Sequence, residues 1–138
     1  MPCRSLLAFV PLLTVALAAV PAAAEPLAHS VFFELADDTP ASRDELIAAC
    51  EQYLDRHEGC VFFRVGVLAS GLDREVNDQA FDVAAHLFFE DREAHDRYQT
   101  HPRHLRFIEV VTPLLAGVRV FDADLVAAAR SPEDSESP

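Results

Sequence analysis

Apolar and polar residues alternate in the segment AHSVFFEL, residues 28–35. Because successive side chains of a strand point to opposite faces, His29, Val31, Phe33 and Leu35 would share one face of a first strand. The residues Asp-Asp-Thr-Pro at 37–40 are typical of a turn and end this strand. The pattern predicts a strand whose core-facing side begins with a histidine.

The next segment has the spacing of an amphipathic helix. Ser42 and Glu45 form a capping box, in which the serine oxygen accepts a backbone amide and the glutamate reaches back to the cap, so we expect the helix to begin at Ser42. Glu58 and Gly59 end it. Its buried stripe advances in steps of three and four residues and comprises Leu46, Ile47, Cys50, Tyr53 and Leu54, and His57 could extend it.

Two further segments are rich in β-branched and aromatic residues, as strands are. Residues 60–68 form the second predicted strand and residues 80–90 the third, joined by a long polar hairpin over residues 70–79. One face of the third strand would carry Phe81, Val83, Ala85, Leu87 and Phe89.

A broken helix and a last strand complete the pattern. Asp91 is a favourable N-cap for a helix that runs to Thr100. Pro102 suits the first position of a second helical segment that ends near Val111, with His101 as the cap between the two. After Gly117, residues 118–122 form the fourth predicted strand.

This order predicts one α+β domain over residues 25–125, with a ferredoxin-like βαββαβ sheet and its helices on one face. The other face of the sheet would carry three phenylalanines beside polar residues, and it is too apolar to be left fully in water. We expect a second copy of the chain to cover it, as in a dimeric α+β barrel. The residues of this face are Phe32, Glu34, Phe62, Arg64, Asp82, His86 and Phe88.

The two ends of the chain differ from this domain. Residues 1–24 have the layout of a secretory signal peptide, with Arg4, an apolar run over residues 6–20 and an Ala-x-Ala site that ends at Ala24. An uncleaved anchor is the alternative, but the run is shorter than the roughly 20 residues that a spanning helix needs. The polar, acidic segment 126–138 is predicted to be disordered. We therefore expect a periplasmic or secreted protein that has no membrane segment after cleavage.

Charge and composition exclude several functions. Only one of the 11 basic residues, Arg4, precedes the cleavage site, so 10 arginines face 23 acidic residues in the mature chain, a net charge of −13. Such a surface repels nucleic acid. The chain has no lysine, which excludes Schiff-base chemistry on a lysine, and it has no glycine-rich phosphate loop.

The mature chain has two cysteines, Cys50 and Cys60. An oxidising compartment would allow a disulfide between them. Strand alternation, however, predicts that Cys60 faces away from the helix that carries Cys50, which would place the two too far apart. Pairing therefore stays open, with free thiols favoured.

Three stretches together resemble the stress-responsive A/B barrel, or Dabb, family. They are the histidine that opens the first strand, the junction Phe89-Glu90-Asp91, and the run from Tyr98 through His-Pro-Arg-His at 101–104 ahead of a final Val-Phe-Asp strand. The resemblance covers roughly residues 28–124. It implies a homodimeric barrel with a ferredoxin-like subunit. Many members have no assigned activity, and one plant member closes a polyketide ring by aldol chemistry in a pocket between sheet and helices.

The resemblance also implies site residues. His29, Tyr98 and His104 fall on the histidine, tyrosine and histidine of the plant cyclase, and they are the candidate catalytic residues. Val83 stands where the cyclase has a further histidine, and the nearest histidine here, His86, is predicted to lie on the opposite face. The candidate ligand-binding residues are His29, Val83, Tyr98, His104 and Phe107.

Structural roles compete with these. His101 is expected to be a helix cap, alongside Ser42 and Asp91, and Tyr98 with Phe107 would also suit a packed core. His101 and His104 have the spacing of a metal pair on a helix, but no third ligand is fixed by spacing, so we expect neither a metal nor another cofactor. The three remaining histidines, His57, His86 and His95, are expected at the surface or in an interface.

Three functions therefore remain open. The first is a homodimer that binds a small, apolar organic molecule between sheet and helices, with His29, Tyr98 and His104 at the polar end. The second is an acid/base enzyme that acts on a carbonyl compound as a cyclase or isomerase. The third is a stress-related dimer without a ligand.

Overall fold

The structure, a computed structural model, describes residues 25–126. The predicted signal peptide, residues 1–24, lies outside the described residues, and so does the predicted disordered tail except for Val126. Both stay predictions. Within the described part of the chain, no helix is both long enough and apolar enough to cross a membrane.

One four-stranded antiparallel sheet organises the domain, with strand order β2-β3-β1-β4. Three α-helices pack on one side of it. The predicted ferredoxin-like plan is confirmed. The elements are β1 (Leu27–Leu35), α1 (Pro40–Leu54), β2 (Cys60–Val67), β3 (Val83–Phe89), α2 (Arg92–Thr100), α3 (Pro102–Val111), a 3₁₀ turn (Thr112–Leu114) and β4 (Leu115–Asp124).

The core lies between the helices and the alternate residues of the two central strands. In β1, Leu27, His29, Val31, Phe33 and Leu35 are all buried, as the alternation predicts. They meet buried residues of β3 and the helices, including Leu46, Leu54, Leu87, Phe89 and Phe107. The strand alternation was informative because only one face of β1 packs into this core.

The predicted start of α1 was wrong by three residues. Thr39 is the N-cap, its Oγ1 accepts the backbone N–H of Ser42 at 3.2 Å, and Pro40 occupies the first helical turn. Ser42 therefore lies inside the helix, where its hydroxyl bonds that of Thr39 at 2.9 Å. A proline at the first helical position loses no intrahelical hydrogen bond, which favours the earlier start.

The two caps around α2 and α3 are as predicted. The carboxylate of Asp91 accepts the N–H of Ala94 at 2.7 Å. His101 ends α2, and its Nδ1 accepts the N–H of Arg103 at 3.1 Å to begin α3. The extended backbone at His101 separates the two helices and directs Tyr98 and His104 toward the same interior.

The register of β2 corrects the expectation for the cysteines. A β-bulge between Cys60 and Phe62 shifts the alternation, so Cys60 pairs with Phe89 on the helix-facing side and not on the opposite one. Both cysteines are nevertheless free, and the thiol of Cys60 bonds the carbonyl of Phe62 at 3.2 Å. Burial raises the pKa of the Cys50 thiol to about 12, which makes it unreactive at neutral pH.

Two strand boundaries also differ from prediction. β3 begins at Val83 and not at residue 80, because Asp82 turns its carboxylate onto the N–H of Leu35 at 2.8 Å. β4 begins at Leu115, so Gly117 lies within the strand opposite Glu34. The longer β4 extends the sheet beside β1, and the residue opposite His29 is Asp122.

We name the side of the sheet without helices the outer face. Aromatic side chains form two groups on it, one around Phe32 and the other formed by Phe62 and Phe88. The ring of Phe32 lies 5.6 Å from that of Phe121, which is 57% exposed. His86 lies here too and bonds Ser30 Oγ at 3.0 Å, as expected for the face opposite the helices.

Candidate functional site

A cavity of about 310 Å³ lies between β1, β4 and α3. Its walls are mainly aliphatic and aromatic, and its polar groups are two histidines, a tyrosine and a few others. The lining residues are His29, Val31, Phe33, Leu54, Tyr98, Gln99, His104, Phe107, Ile108, Val111, Thr112, Leu115, Val118, Val120 and Asp122.

His29 is 4% exposed and is held by a carboxylate across the β1–β4 ladder. Its Nδ1 lies 2.6 Å from Oδ1 of Asp122. Because an ionised carboxylate only accepts, the Nδ1–H donates and Nε2 keeps its lone pair. Burial lowers the pKa of His29 below its usual 6.5, against the opposing effect of Asp122, so the neutral ring predominates at neutral pH.

His104 is also buried, and its tautomer is fixed by the backbone. Nδ1 donates to the carbonyl of Gln99 at 3.1 Å, which leaves the lone pair on Nε2. Burial lowers the pKa of this ring as well. The cavity therefore has two neutral imidazoles, each of which can accept a proton or a hydrogen bond at Nε2.

Tyr98 lies between the two rings. Its ring centroid is 4.2 Å from that of His104 and 5.8 Å from that of His29. Burial raises the pKa of the phenol, with a smaller effect from the nearby thiols of Cys50 and Cys60. At neutral pH the hydroxyl therefore stays protonated and can donate a hydrogen bond. It does not lose its proton, so it cannot act as a phenolate base.

The structure thus brings three of the predicted residues, His29, Tyr98 and His104, to one cavity, and Phe107 joins them. Val83 does not line this cavity. It is fully buried at the start of β3, where it pairs with Phe33. Val83 therefore lies apart from this cavity, and the ligand-binding role that the resemblance implied for it stays a prediction.

Two histidines are less exposed than the sequence predicted. His57, expected at the surface or in an interface although it could extend the stripe of α1, is 6% exposed. It donates from Nε2 to the carbonyl of Tyr53 at 2.9 Å, and its ring lies 4.8 Å from the Tyr98 ring. The side chain of His95, also expected outside, is 12% exposed and its ring lies 5.0 Å from that of His29. The missed signal for His95 was its position three residues before Tyr98, which places both on one face of α2.

Asp122 was also missed as a site residue. The sequence did contain a signal for Asp122. It follows Val118 and Val120 at steps of two residues, so it shares their face of β4. A ring nitrogen of His29, a ring nitrogen of His95 and a carboxylate oxygen of Asp122 lie within 4.8 Å of one another. These are metal-ligating types. The pair considered from spacing, His101 and His104, instead uses its Nδ1 atoms in backbone hydrogen bonds.

Comparisons with solved structures show the same fold. A Dabb family protein from Mesorhizobium loti is 17% identical, with a TM-score of 0.62 over 75% of this chain and 99% of that one. A hydroxynitrile lyase from Passiflora edulis is 16% identical, with a TM-score of 0.62 over 77% of this chain and 98% of that one. A dimeric ferredoxin-like protein of unknown function from Jannaschia sp. CCS1 is 25% identical, with a TM-score of 0.59 over 72% and 99%.

Among curated proteins, none matches this chain. The family model of the stress responsive A/B barrel domain matches residues 27–125, which is nearly the whole of the described domain. The resemblance that the sequence motifs suggested is therefore confirmed, and the chain belongs to the stress responsive A/B barrel domain (Dabb) family.

Proposed function

We propose that this protein is an exported homodimer that binds a small, largely apolar organic molecule in the cavity between β1, β4 and α3. One observation carries the proposal: a cavity of about 310 Å³ has mainly apolar walls, and the rings of His29, Tyr98 and His104 in its lining lie close together and form its polar end. Small-molecule sites are apolar concave spaces of this kind, and about 300 Å³ is the lower end of their range. Export rests on the sequence of residues 1–24 alone.

The polar end favours a ligand that has one oxygen function. Nε2 of His29 and Nε2 of His104 can accept a hydrogen bond, and the phenol of Tyr98 can donate one. An alcohol could donate to one imidazole Nε2 and accept from the Tyr98 hydroxyl, and a carbonyl compound could accept from the Tyr98 hydroxyl. The alkyl part of either ligand would contact Val31, Phe107 and their neighbours. A pure hydrocarbon would leave the polar groups unpaired, which costs free energy.

We expect methyl hexyl ketone to bind more tightly than octane, and Val120→Trp to weaken the binding of the ketone by at least about 10-fold, because the indole would occupy space that the ligand needs. Val120 is 48% exposed at the cavity wall, so the larger side chain can enter without disturbing the core. Isothermal titration calorimetry on the purified protein would measure both effects.

Val67→Trp is the matched control, because Val67 is 55% exposed on the other edge strand, β2, and does not line the cavity. It should bind the ketone as the unsubstituted protein does. If the unsubstituted protein takes up neither probe, or if both tryptophan variants behave alike, this cavity is not a ligand site. The stress-related dimer without a ligand would then be the better description.

A second function is favoured by the contact between His29 and Asp122. A carboxylate that accepts from Nδ1–H orients a neutral imidazole as a general base, as in catalytic triads. Such a base could remove a proton next to a carbonyl group. The Passiflora protein is by its name a hydroxynitrile lyase, so this fold accommodates enzymes.

Deuterium exchange separates a binder from such an enzyme. An acid/base enzyme should replace the α-hydrogens of methyl hexyl ketone by deuterium in D₂O faster than buffer does, and His29→Gln should abolish the acceleration. His101→Asn is the control, because asparagine preserves the cap at this exposed position. Tight binding without accelerated exchange would identify a binding protein.

The homodimer is proposed to form through the outer face. Support comes from the exposed aromatic residues of this face and from relatives of the same fold that are described as dimeric. Two sheets that pack face to face would bury the rings of Phe62 and Phe121, which are 40% and 57% exposed in one chain. The opposite side of each sheet, with the helices and the cavity, would stay accessible to ligands.

A further inference from the structure

We propose that His29, His95 and Asp122 form a binding site for one divalent transition-metal ion, with an open coordination position beside the cavity. No metal was expected from the sequence, and the site does not depend on the proposed organic ligand. The three side chains come from three different elements, namely the beginning of β1, the second turn of α2 and the end of β4. Their ligand atoms lie within 4.8 Å of one another.

The ligand set has a recognisable chemistry. Two imidazoles and one carboxylate bind zinc in many catalytic sites and iron(II) in others, and they leave at least one position for water or substrate. His29 and Asp122 line the cavity, so an ion bound between them would be reachable from that side. His95 does not line the cavity, and its ring lies next to that of His29, at a centroid distance of 5.0 Å.

The hydrogen bonds of His95 also support a metal site. Its Nδ1 is buried and has no hydrogen-bond partner among the described residues, although Oδ1 of Asp96 is 3.6 Å away. Buried polar atoms nearly always have a partner, so an orphaned nitrogen of this type needs an explanation. The other ring nitrogen, Nε2, is 2.9 Å from the side-chain amide of Gln99. Nδ1 is therefore the nitrogen that could bind an ion without losing a contact.

The contact between His29 and Asp122 could open to admit an ion. In the structure the hydrogen on Nδ1 bonds Oδ1 across 2.6 Å, and coordination of an ion by Nδ1 would move that hydrogen to Nε2. Around a tetrahedral zinc ion with bonds of about 2.0–2.1 Å, ligand atoms lie roughly 3.3 Å apart. The separation of Nδ1 and Oδ1 would lengthen by about 0.7 Å, and any separation near the 4.8 Å limit would shorten by about 1.5 Å. The side chain of Asp122 is 47% exposed and can make this adjustment by rotating.

The surrounding charge favours a cation. Oδ1 of Asp96 lies 3.6 Å from Nδ1 of His95, and Asp124 follows Asp122 by two residues, on the same face of β4. The chain as a whole is strongly acidic, with a net charge of −12. Arg92 offsets part of this charge, since it pairs with Asp124 at 2.8 Å. Gln99, which holds Nε2 of His95, would position a metal ligand and not bind the ion itself.

Zinc titration of the chelator-treated, purified protein tests the site. Isothermal titration calorimetry should show one Zn²⁺ ion per chain, and both His95→Gln and Asp122→Asn should weaken the binding by at least 10-fold. His101→Asn should leave it unchanged, because that histidine lies outside the cluster. Equal binding by His95→Gln and the unsubstituted protein, or equal loss in His101→Asn, would show that zinc binds only to scattered surface histidines and would overturn the proposal.

A second measurement does not depend on any variant. In ¹⁵N NMR spectra of the histidine side chains, zinc should shift the ring-nitrogen signals of His29 and His95 and leave those of His86 and His101 in place. Shifts confined to His86 or His101 would contradict the site even if the affinity were high. Neither experiment contains an organic ligand, so its failure would leave the proposed function untouched, and failure of the ketone to bind would leave the metal site untouched.

Discussion

Phe121→Asp is expected to dissociate the proposed homodimer, with a rise of the dissociation constant by roughly a thousand-fold. Phe121 lies on the outer face, 57% exposed in a single chain, and its ring packs against that of Phe32 at 5.6 Å. An aspartate at this position would put a charge between two apolar sheets. The chain is already strongly acidic, with a net charge of −12, so like-charge repulsion would add to the effect.

The size of the effect follows from symmetry. A two-fold interface contains each residue twice, so one substitution removes two phenylalanines. Burial of a phenylalanine side chain contributes about 1.5–3 kcal/mol, and about 2 kcal/mol per copy is reasonable for a ring that is already partly covered. The two copies together amount to about 4 kcal/mol, which corresponds to about three powers of ten in the dissociation constant.

Sedimentation velocity over a range of concentrations would measure the change. Leu105→Asp is the matched control, because Leu105 is 47% exposed on α3, on the other side of the sheet, and its variant should remain a dimer. If Leu105→Asp dissociates the protein and Phe121→Asp does not, the dimer uses the helices. A monomeric unsubstituted protein would refute the homodimer altogether.

Alternation along the chain predicted the sheet well wherever one face of a strand is buried. In β1 every second residue from Leu27 to Leu35 is in the core. A shift of one residue would expose all of these side chains, so the alternation of apolar and polar residues along this strand has to be regular. The caps Asp91 and His101 were equally readable, because a polar side chain that precedes a helix has a specific hydrogen bond to make.

Local irregularities were not predictable from the same rules. The bulge between Cys60 and Phe62 inserts one residue into the pairing, and nothing in the order of apolar and polar residues announces it. Everything before the bulge is then assigned to the wrong face, which is why Cys60 was expected to point away from α1. At the start of α1, Thr39 and Ser42 are both residue types that favour the N-cap, and only Ser42 has a glutamate three residues later. The feature that favours Thr39 is Pro40, which follows it at the first helical position.

Only some residues of the candidate site could be predicted from the sequence. The strand histidine His29 and the residues Tyr98 and His104 were identified from sequence motifs, and the structure places all three at one cavity. His95 and Asp122 were not identified, because each is significant only through its distance to His29 in the folded chain. Periodicity gives the face of an element on which a residue lies, but it does not say which two elements meet.

Gly59→Ala is expected to lower the free energy of unfolding by about 3 kcal/mol. Gly59 lies in the turn between α1 and β2 and has a φ of +75°, a conformation that costs an L-residue roughly 1–2 kcal/mol. A Cβ atom at this position would also be 2.4 Å from the Cβ of Ala94, which is fully buried in α2. Forced overpacking of this kind costs about 1–3 kcal/mol.

Urea unfolding at a fixed protein concentration, followed by circular dichroism, would measure this loss. Gly71→Ala is the matched control, since no atom lies within 4 Å of its Cβ position, and its free energy of unfolding should change by less than about 0.5 kcal/mol. Equal stability of the two variants would mean that β2 and α2 do not approach each other closely at Gly59.

The combination of Gly59→Ala with Ala94→Gly separates the two causes. Removal of the Cβ of Ala94 relieves the contact in α2 but leaves the backbone strain at residue 59, and glycine in a helix costs about 1 kcal/mol by itself. The double variant should therefore be more stable than the sum of the two single effects by about 1–2 kcal/mol. Strict additivity would assign the whole effect to the backbone conformation of Gly59. A positive coupling would show that the turn at Gly59 approaches α2, the helix that carries His95 and Tyr98, as closely as the structure describes.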